Sequence, residues 1–336
     1  MLTDDVTLII PTTHTRRHLF ERTLEFLSAG NCPLRIIVSD HSPPRFSGMV
    51  ADLLRRYPSL QTDYRQHPED LHFLLRLSDC ARVAETPLVH LHADDDFLAP
   101  GALPALIEVM ADRTTAAAMG INIHVSAKTG HVSISRKGEV RQPSPVDRLI
   151  AQLEAFTSVL YALRRRDEFI TTLEFSASRC PDVQFWQYLE SCLTALAGNI
   201  AVIDQLHYIR TTHEDKWSAS LFHGRSPEHF PYLLLAPDFS AKLQRFRDAI
   251  LDAARTASVQ PDPVALDNGL IHLFHHGFTA MGLPKAQWGR DHIATRHAAQ
   301  EQALRQLFGD AGQPDTQAMQ FILELLNPAN ARPSQS

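Results

Sequence analysis

The sequence predicts an α/β fold: a mainly parallel sheet with helices on both faces, followed by an all-helical C-terminal third. Three observations carry this. Apolar runs rich in β-branched residues alternate with amphipathic helical segments over roughly the first 100 residues. Acidic residues follow directly on two of those runs, at Asp40 and at Asp94-Asp95-Asp96. Beyond about residue 225 the apolar spacing is helical throughout.

Val6–Ile10 is a buried strand, an apolar run stopped by Pro11. Phe20, Leu24 and Leu27 then share one helix face, and Gly30 beyond them is a C-cap. Leu34–Val38 is a second strand, broken by Ser42-Pro43-Pro44. Helices follow over Met49–Tyr57 and Leu71–Val83, then a strand over Leu88–His92 that runs into the acidic triplet. In the middle third, Ala117–Val125 and Val132–Ser135 read as strands about a turn at Gly130, and Gln142–Pro145 as a loop. Val159–Leu163 reads as a strand, Val183–Ala197 as a helix, and Ile200–Ile203 and His207–Thr211 as strands. Four helices complete the chain: Phe239–Ala257, Val264–Met281, Ile293–Phe308 and Thr316–Leu326. The change of period sets a domain of residues 1–225, a helical extension over 226–327 and a frayed tail over 328–336.

Composition narrows the function. With 44% hydrophobic and 21% charged residues, wholesale disorder is excluded. A net charge of −6 argues against a nucleic-acid wrapper, which needs a basic face. No stretch reaches the roughly 20 apolar residues of a spanning helix, and Met1–Asp5 lacks the basic start of a secretory leader. Cys32, Cys80, Cys180 and Cys192 form no CxxC pair, which points to reduced thiols in the cytoplasm rather than a disulfide scaffold.

The acidic triplet is the densest chemical signal. Three adjacent carboxylates repel one another unless they are solvated or meet a cation, and ligands of open α/β sheets sit beyond the carboxyl ends of strands. A hard divalent cation bridging to a diphosphate suits this placement; a solvated turn capping the next helix suits it too. Asp40, at the end of another strand, can accept the N3–H of uracil or thymine or the N1–H of guanine, or can close an Asx turn. Cytosine has no N3–H to offer it.

These residues resemble a known pattern. Val6-Thr7-Leu8-Ile9-Ile10-Pro11-Thr12, Arg22-Thr23-Leu24, Ile36-Ile37-Val38-Ser39-Asp40 and Asp94-Asp95-Asp96-Phe97-Leu98-Ala99-Pro100-Gly101 resemble the GT-A glycosyltransferases of the family-2 type. Thr86-Pro87-Leu88-Val89 with Asp95-Asp96-Phe97 is similar to a bacterial subgroup carrying a TPLV…DDDF run. The resemblance covers residues 5 to about 215 and implies a GT-A, Rossmann-like sheet that binds a nucleotide-diphosphate sugar. It implies that Pro11, Thr12 and Asp40 meet the nucleoside, that Arg76 and Arg210 lie near the donor phosphates, and that Asp94 and Asp95 line the donor. It further implies that Asp94, Asp96 and His213 hold Mn2+ or Mg2+, with Asp96 as the direct ligand. Asp182 resembles the catalytic base, though as a residue it also suits a plain helix N-cap, and Trp217 suits either stacking on a sugar or a place in a core or interface. Ser39 stands where the family has a second acid, and Pro181 where an acid precedes the base.

The expected function is therefore metal-dependent, inverting transfer of a sugar, UDP-linked by preference, to a glycan or lipid-linked acceptor. It would serve bacterial surface glycan synthesis, in the cytoplasm or at the inner face of the membrane. Two rivals stand beside it. His90-x-His92-x-Asp94 has the spacing of a metallohydrolase site, and a non-catalytic subunit could keep the fold for binding alone.

Overall fold

The computed structural model describes residues 2–126, 132–135, 137–212 and 239–280. Four parallel strands form its first half: β1 (Val6–Thr12), β2 (Arg35–Asp40), β3 (Gln61–Gln66) and β4 (Leu88–Leu91), in the order β3-β2-β1-β4. Beyond β4 come β8 (Leu163–Arg165), β6 (Thr115–Ser126), β9 (Asn199–Thr212) and β5 (Phe97–Leu98), with β7 (Val132–Ser135) flanking β6. Among the described strands only β8, β5 and β7 run antiparallel to their neighbours.

Successive side chains of a strand point to opposite faces, and β1 shows why all of them are apolar or small. Val6, Leu8 and Ile10 pack with α2 (Arg17–Ala29), α3 (Ser47–Leu54) and α5 (Leu103–Ala111). Ile9, together with Ile37, Val89 and Leu91, packs on the opposite face against α4 (Phe73–Val83) and α7 (Arg166–Arg179). A further core joins α6 (Pro145–Glu154) and α8 (Val183–Ala197) to α9 (Phe239–Thr256) and α10 (Pro263–Ala280). Leu149, Leu153, Phe185 and Leu189 meet Phe246, Ile250, Leu266 and Leu270 there. A four-residue α1 (Leu2–Asp5) precedes β1.

Most expected elements are present, with instructive differences. Residues 159–162 form a turn rather than a strand, closed by the Ala162 N–H donating to the Val159 carbonyl at 3.0 Å, and pairing begins only at Leu163. The two late strands are one. β9 runs through Asp204 and Gln205 by shifting register against β6 around Met119–Asn122. Gly120 permits this, because a Cβ there would stand 2.3 Å from the Gln205 carbonyl oxygen and 2.8 Å from His207 Cβ. Pro145, read as loop, opens α6, with Ser144 accepting the Asp147 N–H at 3.1 Å. Gly30 does cap α2, but the left-handed residue after it is Asn31, at φ 48°. The expected Gly130 turn, the helices over 293–308 and 316–326 and the tail lie outside the described residues.

Candidate active site

The parallel registers of β1 with β2 and β4 bring three chain segments to one edge of the sheet. Thr12 stands opposite Asp40 in the β1–β2 ladder, and the His92 N–H donates to the Ile9 carbonyl at 2.9 Å as β4 ends. The acidic turn therefore begins beside Thr12, whose hydroxyl donates to Asp94 Oδ2 at 2.9 Å.

Arg16, in the short helical turn after β1, dominates this turn. Its Nε lies 2.9 and 3.1 Å from the two Asp94 oxygens, and its Nη2 lies 2.9 Å from Asp94 Oδ1 and 2.7 Å from Asp95 Oδ2. Thr23 from α2 donates to the carbonyls of Asp94 and Asp96 at 3.0 and 3.2 Å. Asp96 turns inward: the Tyr208 hydroxyl donates to Oδ2 at 2.9 Å and the Thr211 N–H to Oδ1 at 2.7 Å. Burial pushes Asp94 up to about 6, against the pull of Arg16, and Asp96 up to about 7, with the Asp95 charge adding to both. Asp95 is the most open of the three, its side chain 17% exposed against 5% for Asp94.

Asp40 is wholly enclosed. Its Oδ1 accepts the Ser42 N–H at 2.8 Å and the Ser42 hydroxyl at 2.6 Å, and its Oδ2 accepts the Tyr64 hydroxyl at 2.7 Å. Nearby, Arg76 in the first turn of α4 is 5% exposed, with its guanidinium 5.5 Å from the Phe73 ring centroid. Its Nε has no partner among the described residues, and burial lowers its pKa to about 10, with Cys80 and Asp40 pulling the other way. A buried guanidinium with an unmet donor has a hydrogen bond left to give to an anion.

Asp182 precedes α8 but makes no capping bond. It pairs instead with α9, 2.9 Å from Arg245 Nη2 and 3.4 Å from Lys242 Nζ. The same loop is tied to the start of α4, where His72 Nδ1 accepts the Leu74 N–H and its Nε2 lies 3.1 Å from the Pro181 carbonyl oxygen. Asp182 thus sits by the helix end that carries Arg76.

Two other carboxylates of this region, Glu174 and Glu190, do other work. Glu174 is held by Ser78 at 2.6 Å and by Arg82. Glu190 is buried against Arg164 at 2.8 Å, and burial pushes it up to about 7 in spite of that partner. A raised folded-state value stabilises the fold fully below the ordinary Glu range, and the contribution is lost as pH rises toward about 7. Between pH 5 and 8 this group alone should lower the unfolding free energy by about 1–3 kcal/mol, and Glu190→Gln should remove that part of a slope to which Asp94 and Asp96 also contribute. An equal slope in the variant would assign the pH dependence to another group.

The metallohydrolase alternative does not hold. His90 and His92 are fully buried, their ring centroids 6.0 Å apart, and they meet His207 and Tyr208 edge to face, while the Asp94 carboxylate turns to Arg16. Among the described residues no three His, Cys, Asp or Glu side chains gather as a metal set. His213 and Trp217 lie outside the described residues. Arg210 is exposed on β9, within electrostatic reach of Asp96. Reading by residue type missed Arg16, Tyr64 and Tyr208, because a cation or phenol far away in the chain gives no local signal of its partner.

No protein-family model and no curated protein matches the chain. Among solved structures it is similar to S. aureus TarS 1–349 in complex with UDP-GlcNAc, at 15% identity and TM-score 0.54, over 82% of this chain and 73% of that one. The UDP complex of the same protein gives 14% and 0.53, over 85% and 76%. A mannosyltransferase, PcManGT from Pyrobaculum calidifontis, in complex with GDP-Man and Mn2+, gives 15% and 0.44, over 96% and 84%. The fold is the GT-A fold that the sequence resemblance implies. Among the described residues no helix is long and apolar enough to cross a membrane.

Proposed function

We propose that the chain is a glycosyltransferase that moves a sugar from a nucleotide-diphosphate donor, a UDP-sugar by preference, to a hydroxyl of a glycan or lipid-linked acceptor, with inversion. The work fits the building of a bacterial surface glycan, in the cytoplasm or at the inner face of the membrane. The observation that carries the reading is the meeting of Thr12, Asp40, buried Arg76 and the Asp94–Asp96 turn at one edge of a GT-A sheet.

In this reading the nucleoside lies over Thr12 and Asp40. Uracil N3–H takes the place of the Tyr64 hydroxyl on Asp40 Oδ2, so the carboxylate stays satisfied throughout. CMP, which lacks that proton, leaves the oxygen unmatched. Arg76 and Arg210 hold the diphosphate oxygens, Arg210 as a planar fork. Asp182 takes the proton of the acceptor hydroxyl as it attacks in line.

Mn2+ or Mg2+ fits the donor set in one respect: all three side chains offer hard oxygens, and such a cation needs only one or two carboxylates beside the phosphates. Asp95, the open acid, and Asp96 or Asp94 behind it would hold the ion, with His213 as a further candidate. When bound, the ion would offset the charge of the leaving diphosphate.

UDP with Mn2+ should raise the unfolding midpoint by more than the two ligands added separately, since native-state binding contributes about 2.7 kcal/mol at 100 Kd. The synergy should vanish in Asp95→Asn and shrink in Asp96→Asn, and CMP should show none. Additive shifts in the wild type would remove the metal from the reading, and tighter binding of CMP than UDP would overturn the donor class.

A further inference from the structure

A second group of polar side chains lies across the acidic turn from the nucleoside end. Tyr208 gives its hydroxyl to Asp96, and Arg210, two residues on, shares that side of β9. His124 of β6 stands directly beside Arg210 in the parallel ladder. The chain leaving β7, which pairs with β6, bonds again at Val140 with Ile200 of β9, at 3.0 and 2.9 Å. Residues 137–139 make that crossing, and Lys137 is half-buried on it.

The charges that act on His124 and Lys137 are of one sign. Burial, then Arg210 and Lys137, hold His124 down at about 4, and burial and Arg210 lower Lys137. Asp95 and Asp96 act on Arg210, but the acid on the crossing, Glu139, is engaged with Arg141 at 3.0 Å and with the Val202 N–H at 3.2 Å. Among the described residues Lys137 forms no ion pair and feels only the charge of Arg210, which in turn has Asp96 and Asp95 within reach. Two residues before His124 on the same face, Asn122 has a buried side-chain oxygen with no partner among the described residues. Cations crowded on a half-buried face are costly until a counter-charge arrives.

We propose that His124 and Lys137, beside the donor-phosphate cation Arg210, form an anion subsite for the acceptor, which carries a phosphate or carboxylate close to the hydroxyl that is glycosylated, with Asn122 accepting a neighbouring hydroxyl. This rests on the glycosyltransferase reading, which runs the donor over β1, β2 and β4 to its diphosphate at Arg210 and leaves the β6 side, with His124 and Lys137, for the acceptor. A lysine point charge with an imidazole N–H beside it matches either oxyanion.

The test uses the full chain saturated with UDP and Mn2+, titrated by calorimetry with glycerol 3-phosphate, glycerate and glycerol. The phosphate or carboxylate compound should bind with UDP in place, and glycerol should not. Lys137→Ala should weaken that binding at least tenfold, and His124→Gln several-fold, with UDP affinity unchanged in both. The stronger of the two charged probes identifies the anion. Binding unaffected by Lys137→Ala, competition between the charged probe and UDP, or no binding of either charged probe would each overturn the subsite. If UDP itself fails to bind, the glycosyl-transfer reading falls, while Lys137-dependent binding of a charged probe still decides whether the anion site exists.

Discussion

Arg16→Met should lower the unfolding free energy by about 3–5 kcal/mol, the scale of breaking a buried ion pair from one side. The guanidinium spans two carboxylates at 2.7–2.9 Å, and both it and Asp94 are 5% exposed at the side chain. Removing it leaves Asp94 and Asp95 facing each other without a counter-charge, and burial already pushes Asp94 upward. Urea unfolding at neutral pH measures the loss, and Arg16→Lys should recover only part of it, because an ammonium cannot serve both acids in a plane. Mn2+ should stabilise Arg16→Met more than it stabilises the wild type, since the ion then supplies the missing charge. A loss below about 1 kcal/mol would mean that the pair behaves as a solvated surface contact.

Asp182→Asn should lower transfer by about 10²–10⁴-fold, the range for a lost general base, and leave UDP affinity unchanged. Arg245 and Lys242 pair with the carboxylate and fix its direction without burying it, for its side chain is 17% exposed. Glu174→Gln and Glu190→Gln, made in parallel, should keep their turnover, because both acids serve packing contacts. The assay follows UDP release from UDP-GlcNAc with a mixture of phosphorylated and neutral acceptors. Full activity in Asp182→Asn, or a product of retained anomeric configuration, would dismiss Asp182 as the base.

The parallel half of the fold was legible because burial on both faces writes a continuous apolar run, as in Val6–Ile10 and Leu34–Val38. β3 was not legible: Gln61–Gln66 is an edge strand with a single neighbour, so its six polar and aromatic residues carry no alternation. α7 was hidden similarly, since Arg166–Arg179 spreads polar residues among Phe169, Leu173 and Ser176 and keeps only a narrow apolar stripe. At the site, acids placed at strand ends could be seen from one-dimensional order. Their partners could not, because Arg16 meets Asp94 across 78 positions, Tyr208 meets Asp96 across 112, and only the sheet registers join them.

The ion pairs of Asp182 give α9 a meaning for protein engineering. The proposed base borrows its electrostatic setting from Lys242 and from Arg245, 63 positions downstream, on a helix that shares a core with α6 and α8. Splicing this GT-A sheet onto the helices of a different transferase would thus exchange more than a scaffold. Any chimera cut between residues 212 and 239 would import a foreign charge environment for the proton-accepting group, and its turnover would follow the donor of the helices rather than the donor of the sheet.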